Sequence, residues 1–186
     1  MFLLLLDKIS QSNFMTTLVI VIALYAMQEM KALNEQVNSF GAGAAPDLRM
    51  GFTSDELNQW YDDMGEQGQQ AYLQMAAWDF CPFMVITPIL IGTYLYGQLA
   101  AAGMSPNAAM MMTVAMVCDL LETYIVVYGC KHYPKEKLPD HYVELASVGN
   151  QLKWILYVSG LMLLTVLFLY NTLRPHKPEE AEKKTE

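Results

Sequence analysis

Asp119 and Glu122 are the residues of this 186-residue chain that most demand a chemical reason. They stand three apart inside the apolar run 108–130, so on a helix they share one face. Two carboxylates this close in a low dielectric cannot both stay ionised alone: one takes a proton, or a cation approaches. The cation that the sequence offers is Lys153, in Gln151-Leu-Lys-Trp154. Glu122 lies about eight residues from the nearer end of its helix, roughly 12 Å deep at a rise of about 1.5 Å per residue. Lys153 starts shallower but has a long stem. Two arrangements are open: Lys153 pairs with Glu122, or it snorkels to water while the acids share a proton and backbone hydrogen bonds. Asp79 and Glu29 sit at the same side of two further apolar runs, with Asn150 and Gln151 near the start of the last. An ionisable group inside a membrane costs about 2.5 kcal/mol or more, so the five residues Glu29, Asp79, Asp119, Glu122 and Lys153 read as one polar intramembrane cluster. Such a cup holds a headgroup, a cation, a proton or water, or it serves as interhelical glue.

Other chemistries find no support. The histidines, His132, His141 and His176, all fall outside the apolar runs, which argues against a bis-histidine haem in the membrane. There is no HExxH, no phosphate-binding loop and no trustworthy Ser-His-Asp order. Cys81, Cys118 and Cys130 form no CxxC and no paired Cys/His spacing, so no zinc site is encoded. Cys81 and Cys130 either meet as a disulfide on an oxidising face or act as small apolar residues. No nucleophile accompanies the acids, so no catalytic residue, cofactor or metal is assigned and the chain is not read as an enzyme. A net charge of -8 with scattered basic residues argues against nucleic acid.

The elements that must position these residues are membrane spans. The chain is 54% apolar and only 16% charged, against about 25% in soluble domains, and its mean hydropathy is +0.21. A bilayer core asks for roughly 20 apolar residues per helix. Four windows meet that requirement, at 14–33, 80–102, 108–130 and 151–173. The fold class that follows is all-α, a transmembrane four-helix bundle in one domain over 1–174. The first span acts as an uncleaved signal, because Phe2 to Leu6 is too short for a signal peptide and Asp7 and Lys8 interrupt it. Gly103-Met-Ser-Pro-Asn107 permits only an antiparallel turn. Both termini then share one face, and the loops 34–78 and 131–150 share the other. Pro82 and Pro88 bend the second span or open a cavity there. The methionine run Met110 to Met112 suits either an adaptable interface or core filling.

The first loop is itself patterned. Thr53-Ser-Asp-Glu56 is a capping box stapled by Phe52 and Leu57. Leu57, Trp60, Tyr61 and Met64 recur at helical spacing, and Gly65 is a stop signal. A second stretch from Glu66 puts Tyr72, Met75 and Asp79 on one stripe. The expectation is a short amphipathic helical hairpin over about 53–78 whose Trp60, Tyr61 and Tyr72 lie in the lipid interface or close the bundle as a lid.

Orientation is undecided by basic residues, five on the terminal face against six on the loop face. The polar stretch 175–186 reads as a solvated, disordered tail. Its ending, Lys183-Lys184-Thr185-Glu186, is similar to a dilysine retrieval signal of endoplasmic-reticulum membrane proteins. If it acts as one, the termini are cytosolic.

The segments Asp47-Leu-Arg-Met-Gly-Phe-Thr-Ser-Asp-Glu56, Gly65-Glu-Gln-Gly-Gln-Gln-Ala-Tyr-Leu73, Asp79-Phe80, Asp119-Leu-Leu-Glu122 and Leu152-Lys-Trp154 resemble a scattered family of small four-span membrane proteins of bacteria and eukaryotes. That resemblance implies a fold and a shared polar constellation and carries no activity with it. Family patterns often continue the acid pair with Asn, where this chain has Thr123. The function expected first is an accessory or scaffolding subunit, with membrane lipids and proteins of the bilayer as partners. The alternative is a small carrier or lipid-binding protein that uses the acid pair as a protonatable or cation site.

Overall fold

A computed structural model describes residues 2–10, 12–79 and 84–173, which are helical throughout apart from short connections; no strand occurs among them. The helices are α1 (Phe2–Ser10), α2 (Asn13–Asn38), α3 (Ser54–Trp78), α4 (Met84–Ala101), α5 (Met111–His132) and α6 (Asp140–Leu173), with 3-10 turns at Pro46–Leu48 and Pro106–Met110. Cys81, Pro82 and the tail 175–186 with Lys183 and Lys184 lie outside the described residues.

Three stretches are long and apolar enough to cross a membrane: Met84–Ala101, Pro106–His132 and Asp140–Leu173. The first covers 84–101 of the second sequence window, and the other two contain the third and fourth windows whole. Their outward faces are apolar, with Val114, Val117, Leu121 and Tyr124 exposed along α5 and Ile155, Val158, Met162 and Val166 along α6. An apolar surface of this extent belongs in hydrocarbon. The first window falls within α2, where Val21, Leu24 and Tyr25 are exposed.

α6 begins eleven residues before the predicted span and, at 34 residues, runs about 51 Å. Hydropathy does not find its first three turns because they are two-faced: Val143, Ala146, Ser147 and Asn150 are buried while Tyr142, Glu144 and Leu145 are exposed. α1 was not anticipated as an element. Its Leu3, Leu6 and Ile9 recur three apart on the covered face, and Leu6 is fully buried against Leu95, Leu99, Ala109 and Leu167. The short apolar stretch too brief for a signal peptide is thus a plug at the terminal end.

At the other end α3 opens with the capping box: Thr53 Oγ1 accepts from the Glu56 backbone N–H at 3.3 Å, and the Thr53 backbone N–H donates to Glu56 Oε2 at 2.7 Å. The helix breaks at Gly65, whose φ of 60° and ψ of -177° only glycine adopts without strain. In an unbroken helix residues 60 and 72 would be about 18 Å apart. Here the rings of Trp60 and Tyr72 meet edge-on with centroids 4.8 Å apart, and Gln69 Nε2 donates to the Tyr61 carbonyl at 3.0 Å. Trp60, Tyr61 and Tyr72 are all buried, packed with Leu57, Met64 and Val126. Tyr61 also donates its hydroxyl to the Val126 carbonyl of α5 at 2.7 Å. Burial holds the Tyr61 phenol well above its usual range, so it stays a neutral donor.

Two apolar cores result, one under α3 at the loop end and one around Leu6 at the terminal end. The polar layer lies between them. Of the methionine run, Met112 is fully buried, Met111 half-buried and Met110 exposed, so its innermost member fills the interior. Pro88 is buried inside α4, which continues to Ala101.

Candidate functional site

α5 and α6 pack side by side along most of their shared length, and the polar layer is built on that seam. Asp119 and Glu122 project from one face of α5, as their spacing requires, and Lys153 reaches them from α6. Lys153 Nζ lies 2.6 Å from Glu122 Oε2 and 3.0 Å from Asp119 Oδ1. The three side chains are buried, with Glu122 at 0%, Lys153 at 4% and Asp119 at 9% exposure. Of the two arrangements open in the sequence, this is the paired one, with both acids on the ammonium. Burying three ionisable groups costs several kcal/mol each unless attraction and hydrogen bonds offset it. Two carboxyls and one ammonium leave one negative charge in excess, or one proton held in the cluster. Glu122 Oε1 has no hydrogen-bond partner among the described residues, which marks where that proton or a polar guest would sit.

A strap formed by residues 44–52 closes this layer from the loop side. Ser147, Asn150 and Trp154 lie on one stripe of α6 and each takes hold of it. Asn150 Nδ2 donates to the carbonyls of Pro46 at 3.1 Å and Arg49 at 2.6 Å. Trp154 Nε1 donates to the Asp47 carbonyl at 2.8 Å, and the Phe52 backbone N–H donates to Ser147 Oγ at 2.9 Å. Arg49 braces the strap from within, donating through Nε and Nη2 to the Ala44 carbonyl. Gly51, at φ 102°, has a backbone conformation that favours glycine and lies close against the side chains of Gln151 and Ser147.

Between α2 and α6, under the strap, is a cavity of about 480 Å³. Asp47, Asp79, Asp119 and Lys153 give it an ionisable end; Met27, Ile91, Tyr157 and Leu161 give it an apolar wall. Met27 and Leu161 are also about half exposed on the outer surface, so the cavity opens sideways. Asp47 Oδ1 is buried without a hydrogen-bond partner among the described residues, and burial raises this carboxyl above its ordinary range. Asp79, at the end of α3, is half-buried, and burial followed by repulsion from Asp119 and Asp47 pushes it up to about 7. Glu29 is half-buried on α2 and is not among the cavity-lining residues.

The structure therefore brings Asp79, Asp119 and Lys153 to one cavity, places Glu122 directly behind them and leaves Glu29 aside. Trp60, Tyr61 and Tyr72 belong to the adjoining core. Asp47 and Trp154 were not singled out as site residues by sequence reasoning. The available signal was an acid in an otherwise Gly/Ala/Pro loop, and Ser147, Asn150 and Trp154 at helical spacing.

Cys118 and Cys130 are free thiols. No group of three or more His, Cys, Asp or Glu among the described residues is arranged to hold a metal ion. No protein-family model, curated protein or solved structure matches this chain.

Proposed function

We propose that this chain is a multi-pass membrane protein that acts by holding an amphiphile non-covalently in the side-opening cavity. The observation that carries this reading is the cavity's two-ended lining, ionisable at Asp47, Asp79 and Lys153 and apolar from Ile91 to Leu161. A volume of about 480 Å³ lies in the range of small-molecule sites. In this reading α2 supplies the fourth span of a four-helix bundle, both termini share one face, and the two halves of α3 form a hairpin that serves as the lid over the other. The Lys153 triad fixes the floor of the site, and no covalent step is assigned to it. If the Lys183-Lys184 ending acts as a retrieval signal, the termini are cytosolic, the protein resides in the endoplasmic reticulum and the polar end of the cavity faces the lumen.

The test is to purify the full chain in lipid nanodiscs after mild extraction and identify what travels with it by native mass spectrometry. A stoichiometric amphiphile supports the reading; a chain that carries none, and takes none up when offered, removes it. A second reading, an accessory subunit that packs against membrane partners, draws on α6. Only 17% of its most apolar stretch is covered by the rest of the chain, leaving a long face for a neighbouring protein as well as for lipid. A stoichiometric protein in the same preparation favours that reading.

A further inference from the structure

The charges around the cavity do not balance, and the imbalance is confined to one end. Lys153 is engaged twice, by Asp119 and by Glu122. Lys31, the other basic residue of the lining, has a side chain 81% exposed and lies 4.0 Å from Glu35 in its own helix. Among the described residues Asp47 and Asp79 make no ion pair, and Asp47 Oδ1 has no hydrogen-bond partner. An acidic end of this kind repels phosphate and carboxylate heads and is short of a cation that also donates hydrogen bonds. Away from it the wall becomes apolar. Leu161 is eight residues beyond Lys153 on α6, so the apolar part extends roughly 12 Å along the helix. The opening at Met27 and Leu161 faces the level of hydrocarbon, where an aliphatic chain enters without crossing water.

We infer that the cavity takes a single-chain amphiphile with a protonated primary-amine head, its ammonium beside Asp47 and Asp79 and its chain along Ile91, Tyr157 and Leu161. This rests on the amphiphile-binding reading above and adds the chemical class of the ligand. An ammonium has three donors and can give one to the unpartnered Asp47 Oδ1. One aliphatic chain suffices to cover the apolar wall from Ile91 to Leu161.

The experiment is a competition on the full chain in phosphatidylcholine nanodiscs, with dodecylamine, dodecanol and dodecanoate present together at mildly alkaline pH and bound adducts read by native mass spectrometry. Dodecylamine should bind at least about tenfold more tightly than the other two. Replacing Asp47→Asn and Asp79→Asn together should abolish that preference while dodecanol binding persists. Equal binding of all three probes overturns the head-group assignment and leaves the amphiphile reading standing; binding of none overturns both. Leu161→Trp, at the outer end and tolerant of bulk, should weaken all three alike. Unchanged dodecylamine affinity in that variant overturns the placement of the chain.

Discussion

Lys153 Nζ sits 2.6 Å from Glu122 Oε2 across the α5–α6 seam, joining two buried residues 31 apart in sequence. Each partner justifies the other. An ammonium alone at this depth is costly, and so are two carboxyls without it.

Lys153→Met should therefore lower stability by about 3–5 kcal/mol, the usual consequence of stranding buried charge. Asp119→Asn with Glu122→Gln strands Lys153 and should cost a similar amount, whereas combining all three substitutions should recover most of the loss. Thermal unfolding in mild detergent measures each. A Lys153→Met protein as stable as the parent would show that the triad does not hold the helices together.

The strap offers a separable test. Asn150→Ala removes two hydrogen bonds and takes from the Arg49 carbonyl its side-chain donor, while the Pro46 carbonyl keeps the Arg49 N–H, for a cost of about 1–3 kcal/mol. Because Trp154 binds the same strap, its emission should shift towards that of a wetter indole, and the 44–52 segment should become sensitive to limited proteolysis. A strap as protected in the variant as in the parent would count against this docking.

Gly65→Ala should destabilise the cap by about 1–2 kcal/mol, since an L-residue is strained at a positive φ. The affected contacts are Trp60 with Tyr72 and Tyr61 with Val126, so near-ultraviolet circular dichroism should change while total helicity does not. Retention of the full aromatic signal and melting temperature would contradict a break enforced at this residue.

Asp79 gives the pH dependence. Its carboxyl ordinarily titrates near 3.8 and in the folded chain is pushed up to about 7, with burial the largest cause. Between those values the folded state holds a proton that the unfolded state has lost. The stabilisation from this group is complete below the lower value and disappears as pH rises through the upper one. The groups that face it are Asp47 on the strap, Asp119 on α5 and Lys153 on α6, with Lys31 on α2 at the cavity edge. Melting temperature should fall as pH rises from about 4 to about 7 and level off above that, and Asp79→Asn should flatten the profile. An unchanged profile in the variant would assign the titration elsewhere.

Much of this arrangement was legible in the residues. The spacing of Asp119 and Glu122, the capping box at Thr53 and the stop at Gly65 are local rules, and local rules survive folding; the pairing of Lys153 joins two helices, and the sequence left it open. The strap was not legible. Its hydrogen bonds join Pro46, Asp47 and Arg49 to residues about a hundred positions away, and nothing periodic in the loop announces them. α1 was hidden because nine residues are too few for any span argument, although Leu3, Leu6 and Ile9 carry the helical interval. The early start of α6 was hidden because its first turns are amphipathic, and a hydropathy window averages their two faces together.

The length of α6 has a mechanical consequence. Its hydrophobic portion needs about 30 Å to traverse a bilayer core, so roughly 20 Å of the rod projects beyond it. That overhang is gripped by the strap through Ser147 and Asn150. A helix clamped outside the lipid does not choose its tilt by matching membrane thickness, as an unrestrained span does. Thickening or thinning the surrounding leaflet should bend the lipid around this rod, and the tilt of α6 should stay where the clamp has set it.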